Sequence, residues 1–188
     1  MAITLQQVGD TGVDILIDEA ELHARVCELG EILSREYAGK DLLLVCILRG
    51  GVMFLTDLMR QLSIPHHIDF MAVASYSHGI RESDGTVRIT MDLLTDIQDR
   101  NVLLVEDIVD TGHTLSHVLD MLHTRSPASL RVCSLLDKND RRQVDVPIDY
   151  IGFQIPDKFV VGYGLDIDGY WRNLPFIGVL HEDPASRS

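Results

Sequence analysis

The chain has 188 residues, of which 46% are hydrophobic, so it is long enough to bury the core of a single domain. Its net charge of −13 argues against a surface that binds nucleic acid or an anionic membrane, and we expect neither partner. The longest apolar run is far shorter than the ~20 residues of a membrane span, and no secretory signal pattern is present. Three scattered cysteines lack metal-ligand spacing, so we expect a cytoplasmic protein.

The first elements in chain order are a short strand and a long helix. Val13–Ile17 is a possible strand, and Asp18 with Glu21 has the spacing of a capping box at a helix start. Apolar residues then recur on one helical face, at Leu22, Val26, Leu29 and Leu33. Gly39 is a plausible C-cap for this helix.

Two strands that flank a helix come next. The pattern predicts strands over Asp41–Leu48 and Ile68–Ser75, with a helix over Val52–Leu62 between them. The segment Ser77–Asp92 follows neither hydrophobic period and contains two glycines. Because it is too long for a routine connection, we expect it to be disordered or to act as a lid.

The middle of the chain carries the strongest chemical pattern. The apolar run Val102–Val105 reads as a buried strand, and it ends in the adjacent acids Glu106 and Asp107. A third acid, Asp110, precedes the small hydroxylated segment Thr111–Thr114. A helix is then predicted from the spacing of Leu115, Val118, Leu119 and Leu122. Carboxylates can bind sugar hydroxyls or a metal, and a helix start can bind phosphate, so ribose 5-phosphate fits both features.

The remaining segments predict further short strands. Leu130–Leu136 is a strand, and Asp137–Pro147 is a polar connection. Three more strands are predicted at Tyr150–Phe153, Phe159–Gly162 and Ile177–Leu180, and a polar tail at His181–Ser188. Because strands alternate with helices, we expect an α/β fold with a mostly parallel sheet flanked by helices, in one domain over residues 1–188.

The segment Val102–Leu115 resembles the 5-phosphoribosyl-1-pyrophosphate (PRPP) binding motif of the type I phosphoribosyltransferases. Other segments resemble, in their order and spacing, the members of that family that use hypoxanthine and guanine. These segments are Leu48-Arg49-Gly50-Gly51, Ser75-Tyr76, Leu135-Leu136-Asp137-Lys138, Ile155–Asp166 and Tyr170–Pro175. The resemblance implies a core of about residues 41–150 and a small hood formed by the chain ends, about 1–17 and 151–180.

The implied reaction is transfer of the 5-phosphoribosyl group from PRPP to N9 of hypoxanthine or guanine, with Mg²⁺ as cofactor and IMP or GMP and pyrophosphate as products. The implied assembly is a homodimer or homotetramer. Two alternatives remain within the fold: a transferase that prefers xanthine, and a non-catalytic regulator such as an RNA-binding attenuator. A receiver domain of two-component signalling also pairs acids after a strand, but there the pair lies near the N-terminus, whereas here it lies mid-chain.

The resemblance also assigns the groups that would bind PRPP. Glu106 and Asp107 would bind the ribose hydroxyls, directly or through Mg²⁺, and Asp166 would hold a second Mg²⁺. The 5′-phosphate would be bound by a continuous loop of Asp110, Thr111, Gly112, His113 and Thr114, with His113 contributing only its backbone. Pyrophosphate would be bound by Arg49, Gly50, Gly51 and Arg172, with a cis peptide between Leu48 and Arg49.

The base would be bound by a second set of residues. Asp110 would face the purine N7 and handle its proton, and Lys138 would donate to the 6-oxo group. Phe159 would stack on the ring, and Val160 and Asp166 would contribute backbone contacts. Ser75 and Tyr76 would close over the pyrophosphate as part of the lid. Each of these residues also has a purely structural interpretation. Asp110 could cap a turn, the glycines after Leu48 could form an ordinary turn, Lys138 could be solvated, and Phe159 could belong to the core.

Overall fold

The computed structural model describes residues 12–75 and 87–180. Three α-helices lie within these ranges: α1 (Glu19–Glu36), α2 (Val52–Gln61) and α3 (His113–His123). A 3₁₀ turn covers Asn139–Arg141. The strands are β1 (Val13–Ile17), β2 (Leu42–Leu48), β3 (His67–Ser75), β4 (Val87–Met91), β5 (Asn101–Val109), β6 (Ser129–Asp137), β7 (Tyr150–Gln154), β8 (Val160–Val161) and β9 (Ile177–Leu180).

Six strands form the central sheet in the order β4-β3-β2-β5-β6-β7. All neighbours are parallel except β4, which pairs antiparallel with β3 at one edge. Alternate residues of β2 enter two separate cores: Leu44 packs with the apolar faces of α1 and α2, and Leu43 packs with that of α3. The predicted α/β fold, with a mostly parallel sheet covered on both faces, is confirmed.

The first helix has a capping box at its start and a C-cap at Tyr37. Its capping box is complete, since Glu21 N donates to Asp18 Oδ1 at 2.8 Å and Asp18 N donates to Glu21 Oε2 at 3.0 Å. The C-cap is Tyr37, so the prediction of Gly39 as the cap is wrong by two residues. Gly39 instead takes a φ of +74° in the turn that follows, which is closed by a hydrogen bond from Lys40 N to Tyr37 O.

The strands β1, β9 and β8 form a separate antiparallel sheet of three strands. It is built from the two ends of the described chain, as expected for the hood, and it has its own small core of Val13, Val161, Leu174 and Phe176. The domain boundaries drawn from the resemblance stay a prediction. Among the residues that the structure describes, no helix combines the length and hydropathy that a membrane crossing requires.

Two expectations about regular structure need correction, and two lie outside the described ranges. Val87–Met91 forms strand β4, so the alternative that Ser77–Asp92 is disordered is wrong for these five residues. β5 continues to Val109, four residues beyond the apolar run, because β6 pairs with it over that length. The rest of the expected lid up to residue 86, including Tyr76, and the tail at 181–188 lie outside the described residues.

Candidate active site

The candidate site lies where β5 and β6 end side by side. Glu106 and Asp107 are on β5, which continues until Val109 pairs with Asp137 of β6. Lys138 follows β6 directly, and its backbone N–H donates to Val109 O at 2.9 Å. The predicted acids and the predicted base-binding lysine therefore meet at the carboxyl edge of the sheet, where open α/β sheets bind their ligands.

Glu106 and Asp107 form an acidic pair in which Glu106 is buried and Asp107 is partly buried. Glu106 is only 6% exposed, and burial, followed by the negative charge of Asp107, raises its pKa well above the ordinary value. Burial also raises the pKa of Asp107, although a hydrogen bond from Ile108 N and the positive charge of Arg172 oppose the rise. Without a ligand, both carboxylates resist ionisation, and a bound cation would offset that cost.

The donor set of this pair fits Mg²⁺. Mg²⁺ is bound by oxygen ligands, commonly one or two carboxylates completed by substrate phosphates and water. Within residues 12–75 and 87–180, no three His, Cys, Asp or Glu side chains converge on one point. The carboxylate of Asp166 pairs with Arg172 Nη2 at 2.6 Å and accepts a hydrogen bond from Gly169 N at 2.7 Å. The site therefore suits an ion shared with substrate oxygens rather than a cage built from protein alone.

The Arg49-Gly50-Gly51 loop packs directly against the acids. The Leu48–Arg49 peptide is cis, as the resemblance implied. A Cβ on Gly50 would overlap the carboxylate of Asp107, and one on Gly164 would overlap the carbonyl oxygen of Gly50. The glycines thus permit a backbone approach that any side chain would block, which an ordinary turn does not require.

The hood joins this loop through the turn at Tyr163–Gly164. The Tyr163 hydroxyl donates to Asp57 Oδ2 of α2 at 2.6 Å. Arg172 Nη1 donates to Gly164 O at 2.6 Å. Arg172 is therefore anchored beside the loop with which it was expected to share pyrophosphate, and it also contributes positive charge near Asp107.

The segment after Asp110 forms the wall of a cavity of about 220 Å³ that also reaches Glu106 and Asp107. Gly112 is the N-cap of α3, with a φ of +90° and no side-chain cap. The first N–H groups of the helix are therefore not capped by a side chain, and such a helix start favours an anion. Thr111 O accepts hydrogen bonds from Gln143 N and Val144 N at 2.9 and 3.0 Å, which fix the loop. His113 Nε2 contacts Gln143 Oε1 at 3.0 Å.

Asp110 and Lys138 differ from ordinary surface residues. Asp110 Oδ1 is buried and has no hydrogen-bond partner among the described residues. Lys138 is 6% exposed, so the alternative of a solvated lysine is wrong. Its Nζ lies 3.9 Å from Asp157 Oδ1, which is too far for a hydrogen bond. The site thus holds a potential acceptor and a potential donor that lie near opposite charges but form no hydrogen bond with a described residue through Asp110 Oδ1 or Lys138 Nζ.

The remaining predicted base contacts lie on the hood side. Phe159 is 42% exposed, so the alternative that it belongs to the core is wrong, and its ring is available to a ligand. Val160 is buried on β8. Ser75 ends β3, its side chain is outside the described structure, and Tyr76 lies outside the described residues.

Sequence reasoning missed four charged residues around Asp110. Arg142 Nε donates to Asp110 O at 3.1 Å, and its guanidinium forms a buried ion pair with Asp137. Arg141 lies beside the carboxylates of both Asp110 and Asp157. Asp137 and Asp157 lie within segments of the resemblance, which assigned them no role, and the contacts of Arg141 and Arg142 with Asp110 join segments that are about 30 residues apart.

Comparison with known proteins gives a consistent result. The phosphoribosyl transferase domain family matches residues 13–168. The chain is 48% identical to hypoxanthine phosphoribosyltransferase of Salmonella typhimurium over 88% of this chain and 94% of that enzyme. It is 49% identical to hypoxanthine-guanine phosphoribosyltransferase of Mycobacterium avium, over 88% and 84%. A crystal structure of hypoxanthine phosphoribosyltransferase from Staphylococcus aureus superposes with a TM-score of 0.90 at 41% identity, and the match covers 98% of this chain and 100% of that one.

Proposed function

The chain belongs to the phosphoribosyl transferase domain family, and on that premise we propose which residues carry each part of its reaction. It is a purine-salvage transferase that moves the 5-phosphoribosyl group of PRPP to hypoxanthine or guanine, the reaction for which relatives about half identical to it are named. One observation carries the residue assignment. The acidic pair Glu106 and Asp107, a helix start without a side-chain cap and the buried residue Lys138 converge at one edge of the sheet.

PRPP has three anionic or hydroxylated parts, and the site offers a distinct set of groups to each. Glu106 and Asp107 bind the ribose hydroxyls. The backbone N–H groups and hydroxyls of Asp110–Thr114 bind the 5′-phosphate, because the start of α3 has no side-chain cap and lines the cavity. The Arg49-Gly50-Gly51 loop and Arg172 bind pyrophosphate on the hood side.

Glu106 and Asp107 would hold one Mg²⁺ and Asp166 a second, and the bound ions would supply positive charge for the departing pyrophosphate. The chain's own cations act at the same place. Arg49 and Arg172 stabilise the negative charge that develops as the bond between C1 of ribose and pyrophosphate breaks. Asp107 is held against the pyrophosphate loop at Gly50, so the sugar and the leaving group are oriented by one contact.

Asp110 handles the proton of the base. As N9 of the purine forms its bond to C1, the imidazole ring becomes more acidic and gives up its N–H proton. The Asp110 side chain is 38% exposed at the cavity that Glu106 and Asp107 also line, and its carboxylate is therefore available to accept this proton at N7. Its place between the acidic pair and Lys138 puts it near both the sugar and the base.

Lys138 selects the 6-oxo group. The Lys138 side chain is 7% exposed and its ammonium has no hydrogen-bond partner among the described residues, so a carbonyl oxygen at the purine 6-position would supply one. The 6-amino group of adenine is a donor and would leave the ammonium unsatisfied. Phe159 stacks on the ring, and the backbones of Val160 and Asp166 contact its remaining polar atoms.

The activity is tested by incubating the protein with PRPP, Mg²⁺ and one of hypoxanthine, guanine, xanthine or adenine. We expect nucleotide and pyrophosphate from hypoxanthine or guanine, no turnover of adenine, and loss of activity with EDTA. A higher kcat/KM for xanthine would favour the xanthine-preferring alternative. No product from any 6-oxopurine at high enzyme concentration would refute the proposed function.

We also propose that the protein works as a homodimer or homotetramer in the cytoplasm. The C-terminal region of a Trypanosoma cruzi relative, 40% identical to this chain, has been studied for its role in oligomeric state and enzymatic activity. Light scattering on the purified protein at assay concentration measures the assembly, and a mass equal to one chain would contradict it.

A further inference from the structure

Four side chains of alternating charge form a row across the base side of the site: Asp110, Arg141, Asp157 and Lys138. Arg141 Nε lies 3.3 Å from Asp110 Oδ1, and its Nη1 lies 3.6 Å from Asp157 Oδ1. Lys138 Nζ lies 3.9 Å from that same Asp157 oxygen. One guanidinium therefore links the group assigned to the purine N7 with the group assigned to the 6-oxo oxygen, and these two atoms share one edge of the purine.

We propose that Arg141 is a positioning residue for the base, an inference that rests on the proposed function. Its positive charge holds the carboxylate of Asp110 at one end and, through Asp157, the ammonium of Lys138 at the other. The two groups are thereby held in place on the base side of the site before a base enters.

The contacts of Arg141 favour a role in positioning the base-binding groups over a role in the stability of the fold. Arg141 and Asp157 are about half exposed, with side-chain exposures of 46% and 53%, and exposed ion pairs contribute little to stability. Arg141 Nε lies 3.3 Å from Asp110 Oδ1 but forms no hydrogen bond with it. The Asp110 carboxylate, whose side chain is 38% exposed, therefore keeps its capacity to accept from the purine while the charge beside it is balanced.

An arginine suits this position better than a lysine. The guanidinium is a rigid planar fork, so Nε and Nη1 can face two carboxylates at once. A lysine ammonium is a compact charge on a flexible stem and can stay close to only one of them. Arg141→Lys should therefore restore part, and not all, of the function that Arg141→Met loses.

The test compares Arg141→Met, Asp157→Asn, the double variant and Arg141→Lys with wild type, using hypoxanthine and PRPP as varied substrates. The matched control is Arg125→Met, since Arg125 forms a 2.9 Å surface ion pair with Asp92 and has no assigned role in the site. Turnover by wild type tests the proposed function. The ratios between variants and wild type test only the role of Arg141.

Arg141→Met should lower kcat/KM for hypoxanthine by about tenfold, a size typical of residues coupled in one ionic network. The KM for PRPP and the urea midpoint should stay at wild-type values, and the Arg125→Met control should match wild type. The double variant should be no worse than about the larger single effect. Wild-type kcat/KM in Arg141→Met, an equal rise in both KM values, or losses that multiply in the double variant would overturn the proposal.

Discussion

Replacing Lys138 with methionine separates its proposed role in binding from any role in stability. The side chain is 7% exposed, and its ammonium lies 3.9 Å from Asp157 without a hydrogen bond among the described residues. Methionine keeps most of the apolar stem and removes the charge. Because the ammonium forms no hydrogen bond with the described residues and its ion pair with the half-exposed Asp157 is long, the free energy of unfolding of Lys138→Met should stay close to the wild-type value.

Lys138→Met should instead weaken the recognition of the purine base. Loss of a hydrogen bond from a charged donor costs about 1.5–3 kcal/mol, which corresponds to roughly a 10–150-fold loss in kcat/KM for hypoxanthine or guanine. The KM for PRPP should change little. Steady-state kinetics with each substrate varied, together with urea denaturation of the same samples, measure both effects. Unchanged kcat/KM for both bases, or a marked loss of stability, would refute the assignment.

Three further substitutions test other parts of the site and the fold. Asp110→Asn removes the proton acceptor, so kcat should fall by about 10²–10⁴-fold with little change in the KM for PRPP; near-normal kcat while chemistry limits turnover would assign the proton elsewhere. Gly50→Ala would force a methyl group into the carboxylate of Asp107, and kcat/KM for PRPP should fall by roughly 10²-fold; a wild-type value would mean that the contact does not orient the substrate. Asp69 accepts hydrogen bonds from Phe70, Leu94 and Thr95 N–H groups, and although burial opposes them, they lower its pKa. Asp69→Ala should therefore lower the free energy of unfolding by about 1–3 kcal/mol at neutral pH. Because the folded pKa lies below the unfolded one, this difference should shrink as the pH falls through the folded pKa, and an equal difference at neutral and acidic pH in urea titrations would contradict the cause.

The elements with short-range causes were predictable from the sequence. The capping box at Asp18 and the buried faces of α1 and α3 depend on residues three or four positions apart. The strand Leu42–Leu48 is apolar throughout because both its faces are covered, which a run of apolar residues indicates directly.

Elements that depend on a partner strand were harder to predict. Val87–Met91 is a short edge strand, and its structure comes from antiparallel pairing with β3. β5 continues past its apolar run through Glu106 and Asp107, because β6 supplies hydrogen bonds there regardless of side chain. A pattern of apolar residues contains neither fact.

The candidate site likewise has parts that contiguous motifs predict and parts that depend on residues distant in sequence. The acids, the phosphate loop and Lys138 lie in contiguous motifs that the resemblance identified. The ion pairs of Arg141 with Asp110 and Asp157 join three separate segments, so no window of sequence contains them. The tight packing of Gly50 against Asp107 is likewise set by two strands that meet only in the folded sheet.

A crystal structure of the protein with GMP tests the central claim most directly, because one ligand reports on the sugar, phosphate and base groups together. The account predicts the 5′-phosphate at the start of α3, the ribose hydroxyls at Glu106 and Asp107, N7 at Asp110 and the 6-oxo oxygen at Lys138. The last two contacts should both be within hydrogen-bond distance. A purine bound away from the Asp110–Lys138 edge, with Lys138 still unpartnered, would contradict the account.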